Sequence, residues 1–181
     1  MKQAIFFAAV IIVTVNLIGC STAPKTEAKK EALGIDVRAT VDTMNVEDPS
    51  FKDFLNKAYG YVVFPSVGKG GAIVGGAYGR GEVYEQGKMI GYADISQATV
   101  GLQLGGQNFA EVIAFENKAA LDRFVTNKYE VAANASAVAL KSGAAATAKY
   151  TDGVALFTHV KGGLMAEAAI GGQRFNFSPL R

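Results

Sequence analysis

Beyond Tyr59-Gly60 the hydrophobic period of this chain changes from helical to alternating, and glycine then recurs every few residues toward the carboxyl terminus. Tyr61 to Phe64 is β-rich and stops at Pro65, and Ser66 to Gly71 reads as a glycine turn region. Ala72 to Tyr78 and Gly81 to Gln86 follow as strands, with a hairpin turn at Gln86-Gly87 and a returning strand over Lys88 to Ala93. Gly101 to Phe115 alternates again, with Gly105-Gly106 as a bulge or bend rather than a break. Val154 to Val160, Leu164 to Ile170 and Arg174 to Phe177 read as closing strands, divided by Gly162-Gly163 and Gly171-Gly172. Many strands joined by short turns imply an antiparallel sheet. Small residues throughout suit a sheet bent sharply over itself.

Helical spacing is confined to three places. Leu33, Val37, Val41 and Met44 recur at helical intervals. Asp48-Pro49 then supplies a start signal, with Phe51, Phe54, Leu55 and Ala58 on one face of the next helix. Both helices are expected to pack on the sheet, the alternative being an amphipathic segment lying on lipid. Asn117 reads as an N-cap for a helix with Ala120, Leu121, Phe124 and Val125 on its apolar face. The alanine-rich stretch 132–148 is weighed as strand over helix, because turns flank it at Lys141-Ser142-Gly143 and Thr151-Asp152-Gly153. The expected class is α+β: a strongly curved antiparallel β-sheet or partly closed β-barrel with two N-terminal helices and one mid-chain helix.

The first twenty residues follow a different logic. Lys2 precedes an apolar run from Ala4 to Val13, too short for a comfortable membrane span but suited to a signal sequence. The run leads to Leu17-Ile18-Gly19-Cys20, which resembles the lipobox of bacterial lipoproteins. The resemblance implies cleavage before Cys20, a thioether diacylglycerol on its sulfur and an acyl chain on the new amino terminus. Two or more chains, at ~0.8 kcal/mol per buried methylene, make a lasting anchor. Ser21, where aspartate would signal inner-membrane retention, favours the periplasmic side of the outer membrane. Residues 1–19 are thus read as a cleaved signal peptide, 20–32 as a lipidated flexible tether and 33–181 as one domain.

Composition removes most chemistry. Cleavage takes away Lys2 and no other charged side chain, leaving 17 basic against 16 acidic. That balance argues against nucleic acid, which requires clustered positive charge. A single cysteine allows no internal disulfide, and a single histidine cannot assemble the usual zinc ligand sets. The glycine-rich stretch from Gly68 to Gly81 contains neither a P-loop nor a complete dinucleotide fingerprint. His159 lies in an apolar strand pattern with no neighbouring nucleophile, and no nucleophile elbow occurs. Asp94 and Glu111 fall within β regions as candidate buried acids, without forming a recognisable catalytic pair. No enzymatic function is expected, and no cofactor beyond the lipid on Cys20.

Several motifs together resemble the SYLF domain. These are Gly71-Ala72, Gly76-Ala77-Tyr78-Gly79-Arg80-Gly81 and Gly101-Leu102-Gln103-Leu104-Gly105-Gly106-Gln107. Val112 to Phe115, the Asn117 to Phe124 helix and Gly162 to Ala166 follow in the same order, so the likeness runs from Leu33 to Phe177. The family implies lipid binding, and its eukaryotic members bind phosphoinositides and some bundle actin. This chain departs from them in having no SH3 domain and a charge-mixed amino-terminal region. Phospholipid is therefore the expected ligand, an envelope protein the alternative partner, and actin is not expected. Arg80 within the motif and Lys69 in the neighbouring glycine segment, joined by Lys52 and Lys57 from the preceding helix, are the headgroup candidates, with solvated surface cations as the simpler reading.

Overall fold

The computed structural model describes residues 22–126, 130–131, 138–139 and 141–180. The cleavage site, Cys20 and Ser21 lie outside the described residues. Four strands make most of the sheet: β1 (Gly60–Gly71), β2 (Val74–Glu85), β3 (Lys88–Phe115) and, after two short strands, β6 (Val154–Pro179). β4 (Glu130–Val131) and β5 (Val138–Ala139) pair with β6, antiparallel at Arg174 and parallel at Phe157 respectively.

β3 has 28 residues and β6 has 26, against about 3–10 for an ordinary strand. Each long strand serves twice. Lys88 to Val100 of β3 pairs with β2, while Gly105 to Phe115 pairs with β1. β1 and β2 also pair with each other. Pairing thus runs from the first half of β3 through β2 and β1 to its second half, which bends the sheet round on itself. β6 follows the other edge of β3 from Gly91↔Pro179 to Phe115↔Val154. The sheet curls without closing into a barrel.

Several expected breaks are bends instead. Pro65 does not end β1; it sits where the register shifts between Val63 and Ser66. Opposite this bulge a Cβ on Gly81 would lie 2.2 Å from the Val63 carbonyl oxygen, so only glycine fits there. The Ser66 to Gly71 segment is strand, not turn, and β2 is continuous through Gly79. Gly105, at φ +114°, lets β3 change partner without ending. Gly162-Gly163 and Gly171-Gly172 of β6 lie opposite β3 on either side of that point, joining three expected strands into one. The Gln86-Gly87 turn forms as expected, with φ +47° and +77°.

The curl creates two cores. Val62, Phe64, Val83, Ile95, Ile113, Phe115 and Phe175 fill its concave side. There α3 (Lys118–Val125) adds Ala120, Leu121 and Phe124, its N-terminus capped by Asn117. The Phe124 ring lies 5.1 Å from Phe115 and 5.4 Å from Phe175. On the convex side Val63, Val112, Ala114 and Phe157 are covered by α1 (Glu27–Glu47), α2 (Ser50–Lys57) and α4 (Ala144–Thr147). Phe157 receives the edges of Phe51 and Phe54 at 5.2 and 5.0 Å.

Two helical expectations change. α1 begins at Glu27, inside the stretch read as a tether, because Thr26 accepts from Lys29 N and Glu27 pairs with Lys30 at 2.8 Å. Thr22 and Pro24, just before the helix, are buried. Residues 144–147, weighed as strand, form the short helix α4. Within the same alanine-rich stretch Val138–Ala139 is strand, as β5, while residues 132–137 and 140 lie outside the described residues.

Asp48 ties the convex layer together. It is fully buried between α1 and α2, and its Oδ1 accepts from Ser50 N at 3.0 Å and Ser50 Oγ at 2.5 Å. Its Oδ2 accepts from Ala145 N at 2.7 Å, joining α4 to the helical pair. Burial alone would raise its carboxyl, but the bonds from Ala145 and Ser50 outweigh that and hold it below the ordinary range. Asp48→Ala is expected to cost about 3 kcal/mol in urea unfolding at neutral pH. A loss below about 1 kcal/mol would show that the carboxylate is not the tie.

Candidate functional site

The four candidate cations occupy different surfaces. Lys52 and Lys57 are exposed on α2, where Lys57 sits in the last turn and Lys52 lines a groove against α1. Lys69 pairs with Ala77 and Gln107. Ala77 belongs to the concave core, so the Lys69 side chain shares that face. Arg80 alternates with Gly79 and Gly81 and lies on the convex face. The single patch suggested by the sequence therefore does not form between Lys69 and Arg80.

Arg80 belongs to a polar row across the convex face. Register places Ser66, Arg80, Asp94 and Asn176 side by side on successive strands. Ser66 Oγ donates to Asn108 Oδ1 at 2.9 Å, and Asn176 Nδ2 donates to Asp94 Oδ1 at 2.7 Å. Arg80 Nη2 donates to Tyr78 OH at 3.1 Å, while its Nε is enclosed without a partner. Asp94 is a buried acid, as its strand position suggested.

Beyond this row the β1–β2 hairpin extends past the covering helices. Val74 and Val100 are register partners on the convex face. They are 69% and 65% exposed, and Ile73 at the hairpin tip is 68% exposed. Tyr78, half exposed, lies between them and Arg80. Going outward, the surface passes from guanidinium to phenol to branched aliphatic side chains. Sequence patterning could not reveal this, because the same valines in a covered sheet would simply be core.

Two further polar sites were anticipated in part. His159 Nδ1 lies 2.8 Å from Glu47 Oε2, linking β6 to the end of α1, which is a structural role. Glu111 faces the concave side, where it is 1% exposed. Gln173 Nε2 donates to its Oε2 at 2.9 Å, yet Glu111 Oε1 and Gln173 Oε1 are both enclosed without partners. Burial pushes the Glu111 carboxyl up to about 7, against smaller lowering effects of the Gln173 bond and the Lys69 charge. A proton on Glu111 is what the second bond of a carboxyl–carboxamide pair requires. Gln173 was not singled out from sequence; a lone glutamine between glycines and Arg174 carries no signal of its own. Among the described residues no cluster of His, Cys, Asp or Glu has the form of a metal site.

Comparison with known proteins adds a family. Residues 96–178 match Ysc84, described as "Las17-binding protein actin regulator". Over 156 residues the chain is 35% identical to Beta cell expansion factor A of Aeromonas veronii, which covers 84% of this chain. The chain spans 59% of the length of that relative. Glu111 and Gln173 fall within the family-matched segment, whereas Lys52, Lys57, Lys69 and Arg80 precede it.

Glu111 gives a signed pH dependence. An acid whose carboxyl is raised by folding favours the protonated state, so its stabilising effect is complete below about 4.5 and is lost as pH rises toward about 7. The loss is at most about 3 kcal/mol. Glu111→Gln, which mimics the neutral acid, should match the parent near pH 4 and exceed it in denaturant stability at pH 8. Equal stability of the two proteins at pH 8 would contradict the assignment.

Proposed function

Because the chain is a SYLF-domain protein, whose domain type binds lipid or protein, we propose that it is a bacterial lipoprotein held on the periplasmic face of the outer membrane through Cys20, and that its domain engages phospholipid without catalysing a reaction. The tip of the β1–β2 hairpin carries this reading. Ile73, Val74 and Val100 are exposed aliphatic side chains at the end of a β-arm, with Tyr78 and Arg80 behind them. A segment dipping into a bilayer needs that order: hydrocarbon deepest, an aromatic ring at the interface, and a cation at phosphate depth. Successive same-face residues of a strand are about 7 Å apart. Val74 and Arg80 are thus separated by about 20 Å along the arm, which a tilted arm fits across the polar headgroup region and the outermost hydrocarbon.

The proposed anchor and the tip act together. Cys20 lies seven residues before the start of α1 at Glu27, so their Cα atoms are at most about 25 Å apart. Lipid on Cys20 would therefore hold the domain close to the membrane, on a shorter link than the sequence suggested. A protein partner in the envelope is the second reading, since exposed aliphatic residues serve protein contacts equally well. Actin is not part of the proposal for a periplasmic domain.

Liposome flotation separates these readings. The chain carrying Cys20→Ser should float with phosphatidylglycerol vesicles more than with neutral ones. Val74→Asp with Val100→Asp should lower that binding at least about tenfold, given about 1.5–3 kcal/mol per fully buried valine. Arg80→Gln should remove the preference for anionic vesicles. Equal recovery from all vesicles, unchanged by the tip substitutions, would reject phospholipid engagement and leave the protein-partner reading.

A further inference from the structure

The groove between α1, α2 and the Gln86-Gly87 turn plays no part in the function proposed above. It encloses about 490 Å³, within the ~300–1,000 Å³ typical of small-ligand sites. Leu55 contributes apolar floor, and Tyr61, stacked on Tyr84 at 4.9 Å, closes one side. The polar groups divide by helix. α1 contributes Asp42 and Asn45, three residues apart and hence on one side of the helix. α2 contributes Lys52 and Asn56, four residues apart and likewise aligned.

Three observations give this groove a chemical demand. Asp42 and Lys52 carry opposite charges on its two walls, both are exposed, and neither forms an ion pair among the described residues. Asn45 Oδ1 is enclosed but accepts no hydrogen bond. An enclosed acceptor without a donor is unfavourable and in native proteins is ordinarily met by water or a ligand. The α1 wall therefore offers a cationic donor the Asp42 carboxylate and, once its amide turns toward the groove, Asn45 Oδ1, while the α2 wall offers an ammonium and an amide to an anion.

We infer that this groove binds a small zwitterion, directing a primary ammonium to Asp42 and, with its amide turned outward, to Asn45 Oδ1, and a phosphate or carboxylate to Lys52 and Asn56, with its short carbon chain on Leu55. Two sources share that chemistry: the aminoalkyl phosphate headgroup of a lipid and a free amino acid or short peptide. The inference is independent of whether the hairpin tip enters a bilayer.

Isothermal titration calorimetry on the full chain carrying Cys20→Ser tests it, with phosphoethanolamine, alanyl-alanine, ethanolamine and inorganic phosphate as separate probes. At least one zwitterion should bind, and more tightly than either ethanolamine or phosphate. Asp42→Asn and Lys52→Gln should each weaken it about tenfold or more. Asn45→Ala should weaken it while leaving the thermal midpoint of the free protein unchanged or higher, an outcome that a purely structural asparagine would not give. Phosphoethanolamine as the tighter probe assigns the headgroup source, and alanyl-alanine the free one. Absence of zwitterion binding at about 10 mM, binding of inorganic phosphate as tight as either zwitterion, or affinity indifferent to all three substitutions would overturn the inference.

Discussion

One edge of β3 is shared between the two strands of a single hairpin, and most of the fold is a consequence of that sharing. Lys88 to Val100 uses this edge for β2, and Gly105 to Phe115 uses it for β1. Both cannot be satisfied by a flat sheet, so the sheet must turn, and β6 turns with it along the other edge. A turned sheet has an enclosed face, which Phe64, Phe115 and Phe175 fill and Phe124 of α3 stops. Its opposite face would present Val63, Val112 and Phe157 to water, so α1, α2 and α4 are required there. The helices are thus a response to the curl, and Asp48 is the group that keeps them as one layer.

This double burial explains what was legible in the sequence and what was not. Hairpin chemistry at Gln86-Gly87, the Asn117 cap and the turn at Asp152-Gly153 are local, and each forms as its residues dictate. The curved α+β class was also readable, because short apolar runs interrupted by glycine leave few alternatives. Strand lengths were not. A proline or glycine pair ordinarily marks an end, but Pro65 occupies a bulge and Gly105-Gly106 a bend within a strand whose pairing continues on both sides. The early start of α1 was hidden for another reason: Glu27 to Glu31 is polar enough to be either linker or exposed helix, and the Thr26 cap decides between them. The candidate cations were identifiable as residues but not as a site, since one bulge in β1 and strict alternation put Lys69 and Arg80 on opposite faces.

The buried acids show how differently one residue type is used. Asp48 is surrounded by donors and is held ionised. Asp94 receives the Asn176 amide beside Arg80 in the polar row. Glu82, beneath α1, accepts from the Tyr84 hydroxyl at 2.6 Å, and that phenol is strongly raised by burial and by the bond to Glu82. Glu111, on the enclosed side of the sheet, accepts from the Gln173 amide. There burial outweighs hydrogen bonding, which is why its ionisation is displaced toward neutrality. The position lies on β3 six residues beyond Gly105.

The convex helices stop short of the hairpin tip, and this sets what the remaining surface can do. Where α1 covers the sheet, Glu82 is buried and Tyr84 partly so; past its reach, Val74 and Val100 stand in the open. Three aliphatic side chains with Arg80 behind them support association with a bilayer that is measurable but reversible. A covalent anchor changes that requirement. With the proposed lipid on Cys20, seven residues before α1, the membrane contact would become intramolecular, at an effective concentration on the order of millimolar. A weak tip would then suffice to set orientation, because the proposed lipid would determine residence. The modest size of the exposed patch is therefore consistent with a domain whose attachment and recognition are divided between a lipidated terminus and a β-arm.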